Sequence, residues 1–505
     1  MVNKSLFQTK KGKSTDTVNL AGGEAYSLKP ENKLAQFCVT SCLNDVYYDS
    51  AASQLTQIVE LAQQCEVEFL AKLCVFARSS KMKDTSAILL AVLANKLSED
   101  SDRVLFQWTF SKVINNTKML RNFVQVIRSG VTGRKSFGSF IKRQINNWLA
   151  SQSVDSLFVN SIGNDPSLAD VVKITHPKAE NKEKESFYGW LLGKKVENLP
   201  KLIQQFEDFK KGVGEVPSVP FQMLSNITLT KEQWKTVAKN MTWNQLRLNL
   251  NTLHRNGVLH ELEDFISNKL SDKNEVLKSG VFPYAIYTAL KFGTDLPQKV
   301  SIALQKALDY ACENVPDLGK TTVVIDVSGS MYSPVTGARK GSTTKVNCVE
   351  VAALTAAIFA KKNIGQVIIF SDNAQEVKYN PLDSVWTITE KILALGYGGG
   401  TNMSAAFEFI VNANNKPNSV LTFSDMQSWM DCGETEPKVL QLQKHHKTKF
   451  VYVNLQPYCD TQMYDKHGVL NIAGWNENVF DIITDFVNEK VTDFVQVVNE
   501  IELYS

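Results

Sequence analysis

The residues best equipped for chemistry lie in TTVVIDVSGSM, residues 321–331. Asp326, Ser328 and Ser330 follow the pattern D-x-S-x-S, directly after the β-branched run Val323, Val324 and Ile325. Such a run predicts a buried parallel strand, which puts the three side chains on the loop where that strand gives way to a helix. Carboxylate and hydroxyl oxygens this closely spaced suit a hard, octahedral divalent cation such as Mg²⁺. The carboxyl end of a strand is also where open α/β sheets place their ligands. An ordinary strand-to-helix turn uses the same residue types, so two further pieces matter. Thr401 follows a triple glycine in YGGGTNMSAAF, and Asp425 ends the apolar run NSVLTFSD.

A D-x-S-x-S loop, a Thr after glycine and an Asp at a later strand end, in that order, resemble the metal-ion-dependent adhesion site (MIDAS) of von Willebrand factor A domains. The resemblance covers residues 320–505. It implies that Ser328, Ser330 and Thr401 coordinate the metal, with Asp326 and Asp425 bonded to it directly or through water. Mg²⁺ is the expected cofactor.

The elements that must position these groups are legible around them. KVNCVEVAALTAAIFAKK carries apolar residues at helical spacing, and QVIIFSD, SVLTFSD and KFVYVNL are short β-rich runs. MSAAFEFIVNAN, KVLQLQKHH and ENVFDIITDFVNE are helical candidates between and after them. Strands alternating with helices predict a doubly wound α/β domain over residues 319–505.

The whole chain has 505 residues, 43% hydrophobic and 21% charged, room for two or more domains with proper cores. No apolar stretch reaches membrane-spanning length, and MVNKSLFQTKKGKS lacks the apolar core of a signal peptide, so no membrane partner is expected. Eight cysteines include no C-x-x-C pair, which suits a reducing, cytoplasmic setting. The net charge of +3 conceals an asymmetry: residues 1–320 hold 41 Lys and Arg against 32 Asp and Glu, whereas residues 321–505 hold 14 against 20.

Residues 1–23 read as a polar tail or extended arm bearing Lys10, Lys11 and Lys13. Residues 24–318 read as all-α. Segments such as VEFLAKLCVFARSS, TSAILLAVLANKL and VLFQWTFSKVIN repeat apolar residues three and four apart, and short polar turns separate them. Successive antiparallel amphipathic helices predict an α-solenoid. TKEQWKTVAKNMTWNQLRLNLNTLHRNGVLH predicts a capped, long amphipathic helix. Within this half, residues 101–150 carry nine basic residues and one acidic residue. Arg121 and Arg128, seven apart, fall on one helix face; Arg134 and Lys135 occupy a loop, and Lys142 and Arg143 a further helix. A solvated cationic face is one reading of this block, and a phosphate-binding surface is the other.

With FGSFIKRQINNWL, LADVVKITHPK, MTWNQLRLNLNTLHRNGVL, VFPYAIYTAL, VIDVSGSM, GGTNMS and VLNIAGWNENVFDIITDF in this order, the chain resembles the Ro autoantigen, or TROVE-domain, family. That resemblance implies a ring of HEAT-like helical repeats closed by the A-type domain. It implies that the ring accepts the single-stranded 3′ ends of misfolded RNA, while an outer basic surface binds Y-type non-coding RNA in a small ribonucleoprotein of RNA quality control. Lys142 and Arg143 match the family's basic pair, and His176, with Lys173 beside it, its short His-containing motif. The tract SLFVNSIGND before that motif contains no Lys or Arg, unlike the animal members, which puts Y RNA binding in that mode in doubt.

The expected function is therefore non-catalytic RNA binding. A different class of reading makes the A-type domain a metal-dependent scaffold for a protein partner, an exoribonuclease or another protein. Hydrolysis is disfavoured, because D-x-S-x-S supplies mostly hydroxyl ligands to one ion and neither H-E-x-x-H nor a P-loop accompanies it.

Overall fold

The computed structural model describes residues 15–504 except Cys42, 162–165, 225–226, 339–344, 364, 397, 414–415, 431–433, 465–467 and 475–477. Lys10, Lys11 and Lys13 lie outside the described residues. The chain forms two compact units.

The α/β unit takes residues up to Gln54 together with Glu313–Gln496. Nine strands occur among its described residues: β1 (Thr17–Val18), β2 (Glu24–Ser27), β3 (Thr321–Asp326), β4 (Gln366–Phe370), β5 (Ala374–Glu376), β6 (Ser419–Ser424), β7 (Lys449–Asn454), β8 (Asp460–Thr461) and β9 (Val469–Ala473). The main sheet runs β5-β4-β3-β6-β7-β9, parallel throughout except for β5, which pairs antiparallel with β4. Every residue of β3 and β6 is buried, as strands covered on both faces require. Val324, Ile368, Phe407, Val420, Phe450 and Tyr452 meet in its core. The neighbouring strands of β3 lie on opposite sides of it: β4 follows in sequence on one side, and β6 arrives from further along the chain on the other. The order of strands thus reverses at β3, and the crevice beyond the carboxyl ends of β3 and β6 is where ligands bind in such sheets.

The boundaries differ from the sequence expectation. Residues 15–54 belong to the α/β unit and not to a free tail followed by the helical half. β1 pairs antiparallel with β2, and β2 with β8, so backbone pairing fixes this segment. A polar composition hid it, because two- to four-residue strands leave almost no periodicity to read.

The helical unit takes Leu55–Cys312 and the residues from Val497 onward. Helices Val67–Ser79, Asp84–Leu93, Asp100–Val113, Thr117–Ser129 and Gly138–Ser151 follow in order. The first packs on the third, the second on the fourth and the third on the fifth, the stacking order of a solenoid. Phe106, Phe123, Phe158, Phe187 and Tyr287 are almost fully buried, each worth about 1.5–3 kcal/mol of apolar burial.

Two details depart from the periodicity. Residues 231–255 form three short helices, Lys231–Asn240, Trp243–Leu248 and Leu250–Arg255, instead of one long one. Thr242 breaks the run: it caps a new helix by accepting from Gln245 N–H at 3.3 Å, in a second capping box after that of Thr230 and Gln233. The charged run AENKEKE (residues 179–185), apolar only at Ala179, nonetheless buries Lys184, which donates to Ala150 O at 2.6 Å and Glu180 Oε2 at 2.8 Å.

Candidate metal centre and nucleic-acid interface

Three loops meet beyond β3 and β6. Gly329 N–H donates to Gly399 O at 3.2 Å, and Gly398 N–H to Val327 O at 3.1 Å. The carbonyl of Thr401 accepts from Trp429 N–H at 3.2 Å, Met430 N–H at 3.1 Å and the Ser428 hydroxyl at 3.0 Å. These bonds bring together the loops that carry all five expected ligand positions, Asp326, Ser328, Ser330, Thr401 and Asp425, and all five residues are buried.

Asp326, the last residue of β3, has both oxygens engaged. Oδ1 accepts from Ser328 N–H at 2.8 Å, and Oδ2 from the Ser424 hydroxyl at 2.6 Å. The Ser328 and Ser330 hydroxyl oxygens stand 3.4 Å apart, close to the ~3 Å edge of an octahedron with ~2.1 Å bonds. Asp425 Oδ1 accepts from Gln427 N–H at 3.2 Å, while the fully buried Oδ2 has no hydrogen-bond partner. Burial raises Asp326, and burial together with the Asp326 charge raises Asp425 to about 7. A third carboxyl, Asp460 on β8, is pushed by burial to about 8 and accepts from Gln427 Nε2 at 2.7 Å. Two buried acids and an orphaned carboxylate oxygen beside paired hydroxyls fit a divalent cation, whose charge would relieve both penalties. No group of three or more His, Cys, Asp or Glu side chains is placed to hold a metal among the described residues, so a site here depends on the hydroxyls.

Asp372, Ser424 and Gln427 escaped the sequence reading. Asp372 Oδ1 accepts from Gly400 N–H at 2.9 Å. The glycines are required by this approach: Gly399 has φ +105°, and a Cβ on it would lie 2.7 Å from Asp372 Oδ2. The available signal was the repeated Phe-Ser-Asp at the ends of β4 and β6 (QVIIFSD, SVLTFSD), whose register across β3 puts both acids at one sheet end.

The basic candidates sort into two groups. Arg128, Lys173, His176 and Arg143 are exposed, and Lys142 is half-buried. Their helices are placed by caps. Asn116 accepts from Met119 N–H at 3.0 Å to start helix Thr117–Ser129, and Ser167 with Asp170 forms a capping box on helix Leu168–Thr175. Leu168–Thr175 packs on Thr117–Ser129 and on Gly138–Ser151, with Asn146 Nδ2 donating to Thr175 O at 3.1 Å. Packing thus gathers charges that are far apart in the chain. Arg128 and Lys173 both lower the pKa of Asp170, after its bonds from Ser167. His176 ends its helix in the left-handed conformation, φ 50°, and Arg143 lies over the Phe140 ring at 5.7 Å.

Arg121 and Arg134 do not join them. Arg121 is 6% exposed, its helix face turned into the core, and burial lowers its pKa. Arg134 donates to Ser136 O at 2.6 Å and to Ala94 O and Phe137 O at 3.0 Å each, which staples the loop. Lys135 is exposed, its stem packed against Gly130. A basic group that the sequence did not indicate comprises Arg78, Lys83 and Lys118; after burial, the charges of Lys118 and Arg78 depress Lys83.

Comparison with known proteins agrees with this architecture. The family model described as the Ro60 vWA domain matches residues 320–487. The RNA-binding protein RO60 of Deinococcus radiodurans is 21% identical over 533 residues, covering 96% of this chain and 97% of that protein. The crystal structure of the Deinococcus radiodurans RO (RSR) protein superposes with a TM-score of 0.68 at 16% identity, over 92% of this chain and 100% of that one. Residues 320–487 therefore match the Ro60 vWA domain, and the chain shares the fold of the Deinococcus radiodurans Ro protein over 92% of its length.

Proposed function

We propose that the chain is a non-catalytic RNA-binding protein of a small ribonucleoprotein, with RNA bound by the helical unit. The observation that carries this reading is that Arg128, Lys142, Arg143, Lys173 and His176 lie on helix Leu168–Thr175, at its end, and on the two helices that pack against it. Asp170, kept ionised by its bonds from Ser167, sets one negative charge against the four cations Arg128, Lys142, Arg143 and Lys173. Cations so placed neutralise phosphates with little sequence preference. The match to a protein named as RNA-binding along nearly the whole chain supports the same reading. We assign single-stranded 3′ ends of misfolded RNA to a ring of the helical repeats, Y-type RNA to the exposed basic groups, and RNA quality control in the cytoplasm as the setting. Cys38, Cys65, Cys74, Cys312, Cys348 and Cys459 are buried thiols, which suits a reducing compartment. No helix among the described residues is long and apolar enough to cross a membrane.

In the α/β unit, Asp425, Ser328, Ser330 and Thr401 would hold Mg²⁺, with Asp326 acting through water because both its oxygens already accept from the protein. The ion would supply positive charge and an open coordination position for an acidic group. Trp429 and Met430, 50% and 38% exposed beside Gly400, favour a protein partner there, such as an exoribonuclease.

The test is binding of a labelled structured RNA, with and without a single-stranded 3′ tail, over a salt series. Tail-dependent binding that weakens with salt is the expected result. An RNA that fails to bind at low salt leaves the metal-dependent scaffold as the function.

A further inference from the structure

The hairpin of β1 and β2 makes contacts that its own fold does not need. Its turn is built by Asn19, whose Oδ1 accepts from Ala21 N–H at 3.1 Å and Gly23 N–H at 2.8 Å. With the turn closed by the oxygen, the amide nitrogen is free to reach outward, and it donates to Ser428 O at 2.6 Å. Leu20 N–H donates to Gln427 Oε1 at 2.8 Å. Gly23 lies so close that a Cβ would stand 2.0 Å from Ser428 O and 2.6 Å from Trp429 Cα, so a side chain there is incompatible with docking.

Gln427 and Ser428, the two residues gripped by the hairpin, also hold two of the candidate ligands, Asp425 and Thr401. Gln427 N–H donates to Asp425 Oδ1 at 3.2 Å, and its Nε2 to Asp425 O at 3.3 Å as well as to Asp460. The Ser428 hydroxyl donates to Thr401 O and accepts from Met403 N–H at 3.1 Å. Two hydrogen bonds in series thus connect the hairpin to Asp425, and two connect it to Thr401. The hairpin is anchored independently by β2 pairing with β8 and by the Tyr26 hydroxyl donating to Glu436 Oε2 at 2.8 Å.

We propose that this hairpin is a strap that sets the geometry of the divalent-cation centre, with Asn19 and Gly23 as positioning residues for the ion. The inference rests on the cation reading above. A small, octahedral cation tolerates little ligand displacement. The orphaned Asp425 Oδ2 is aimed by a loop whose outer hydrogen bonds come from the strap. Loss of such outer partners typically weakens metal binding about 10- to 100-fold.

The experiment titrates the full chain with Mn²⁺, reading free ion by electron paramagnetic resonance, for the wild type and for Asn19→Asp, Gly23→Ala and Tyr26→Phe. Asn19→Asp keeps the acceptor that closes the turn and loses the donor to Ser428. Gly23→Ala blocks docking sterically. Tyr26→Phe loosens the same hairpin at a point remote from the ligand loops. The expected result is about one Mn²⁺ per wild-type chain, with affinity about 10- to 100-fold weaker in Asn19→Asp and Gly23→Ala and unchanged in Tyr26→Phe. Wild-type affinity in the first two variants overturns the strap while leaving the cation centre standing. An equal loss in Tyr26→Phe also overturns it, since hairpin stability and not these contacts would then be at work. A wild type that binds no Mn²⁺ overturns the cation reading itself.

Discussion

Removing Arg128 and Lys173 together should lower the salt dependence of RNA binding by a calculable amount. Among the candidates, Arg128, Lys142, Arg143 and Lys173 keep their charges at or near the surface of the three packed helices. On a single strand each phosphate contact contributes about 0.7 to the slope of log K against log salt, so four contacts give about −2.8. Raising salt from about 50 to 200 mM then weakens binding about 50-fold. In the variant Arg128→Ala/Lys173→Ala the slope falls to about −1.4 and the same salt step costs about 7-fold. Arg134→Ala is the decisive control. Its guanidinium is committed to three backbone carbonyls, so its loss should cost stability, about 1.5–3 kcal/mol, and leave the slope unchanged. Fluorescence anisotropy over a salt series, with thermal unfolding in parallel, reads both quantities. An unaltered slope in the double variant, or a lowered slope in a folded Arg134→Ala protein, refutes the assignment of phosphate contacts to the exposed group.

Changing Asp425 to Asn or Ser328 to Ala should abolish Mn²⁺ binding and leave RNA affinity unaltered, measured on the same preparations; RNA affinity that collapses in a folded variant refutes separate roles for the two units. Gly399→Ala should destabilise the α/β unit by about 1–3 kcal/mol and weaken cation binding, because φ +105° is unfavourable for alanine and its Cβ would press on Asp372; urea unfolding checks this. In EDTA, stability should fall as pH rises. Asp425 and Asp460 are raised from 3.8 to about 7 and about 8, so the folded state binds more protons than the unfolded state between those values. The stabilisation present below pH 4 is lost through pH 7 to 8, and saturating Mg²⁺ should reduce the part due to Asp425. Unfolding midpoints that stay flat from pH 5 to pH 9 refute the burial of these acids.

What the sequence determined by itself was local or periodic. The run Val323–Ile325 before Asp326 needed only β-branched residues to mark a buried strand, and a three- and four-residue apolar period marked the solenoid helices. The order of D-x-S-x-S, Thr401 and Asp425, through its resemblance to A-type domains, named five candidate ligand positions, and the tertiary structure buries all five where three loops meet. Arg128 and Arg121 show where such reading stops: a seven-residue spacing puts both near one helix face, and only packing decides that one is exposed and the other buried. The three carbonyls that occupy Arg134 and the proximity of Arg78, Lys83 and Lys118 likewise depend on how helices stack. The hairpin of residues 17–27 is the clearest case. Its partners, Gln427, Ser428 and Asp460, lie some four hundred residues away, and hydrogen bonds over that separation leave no period, run or spacing in a single sequence.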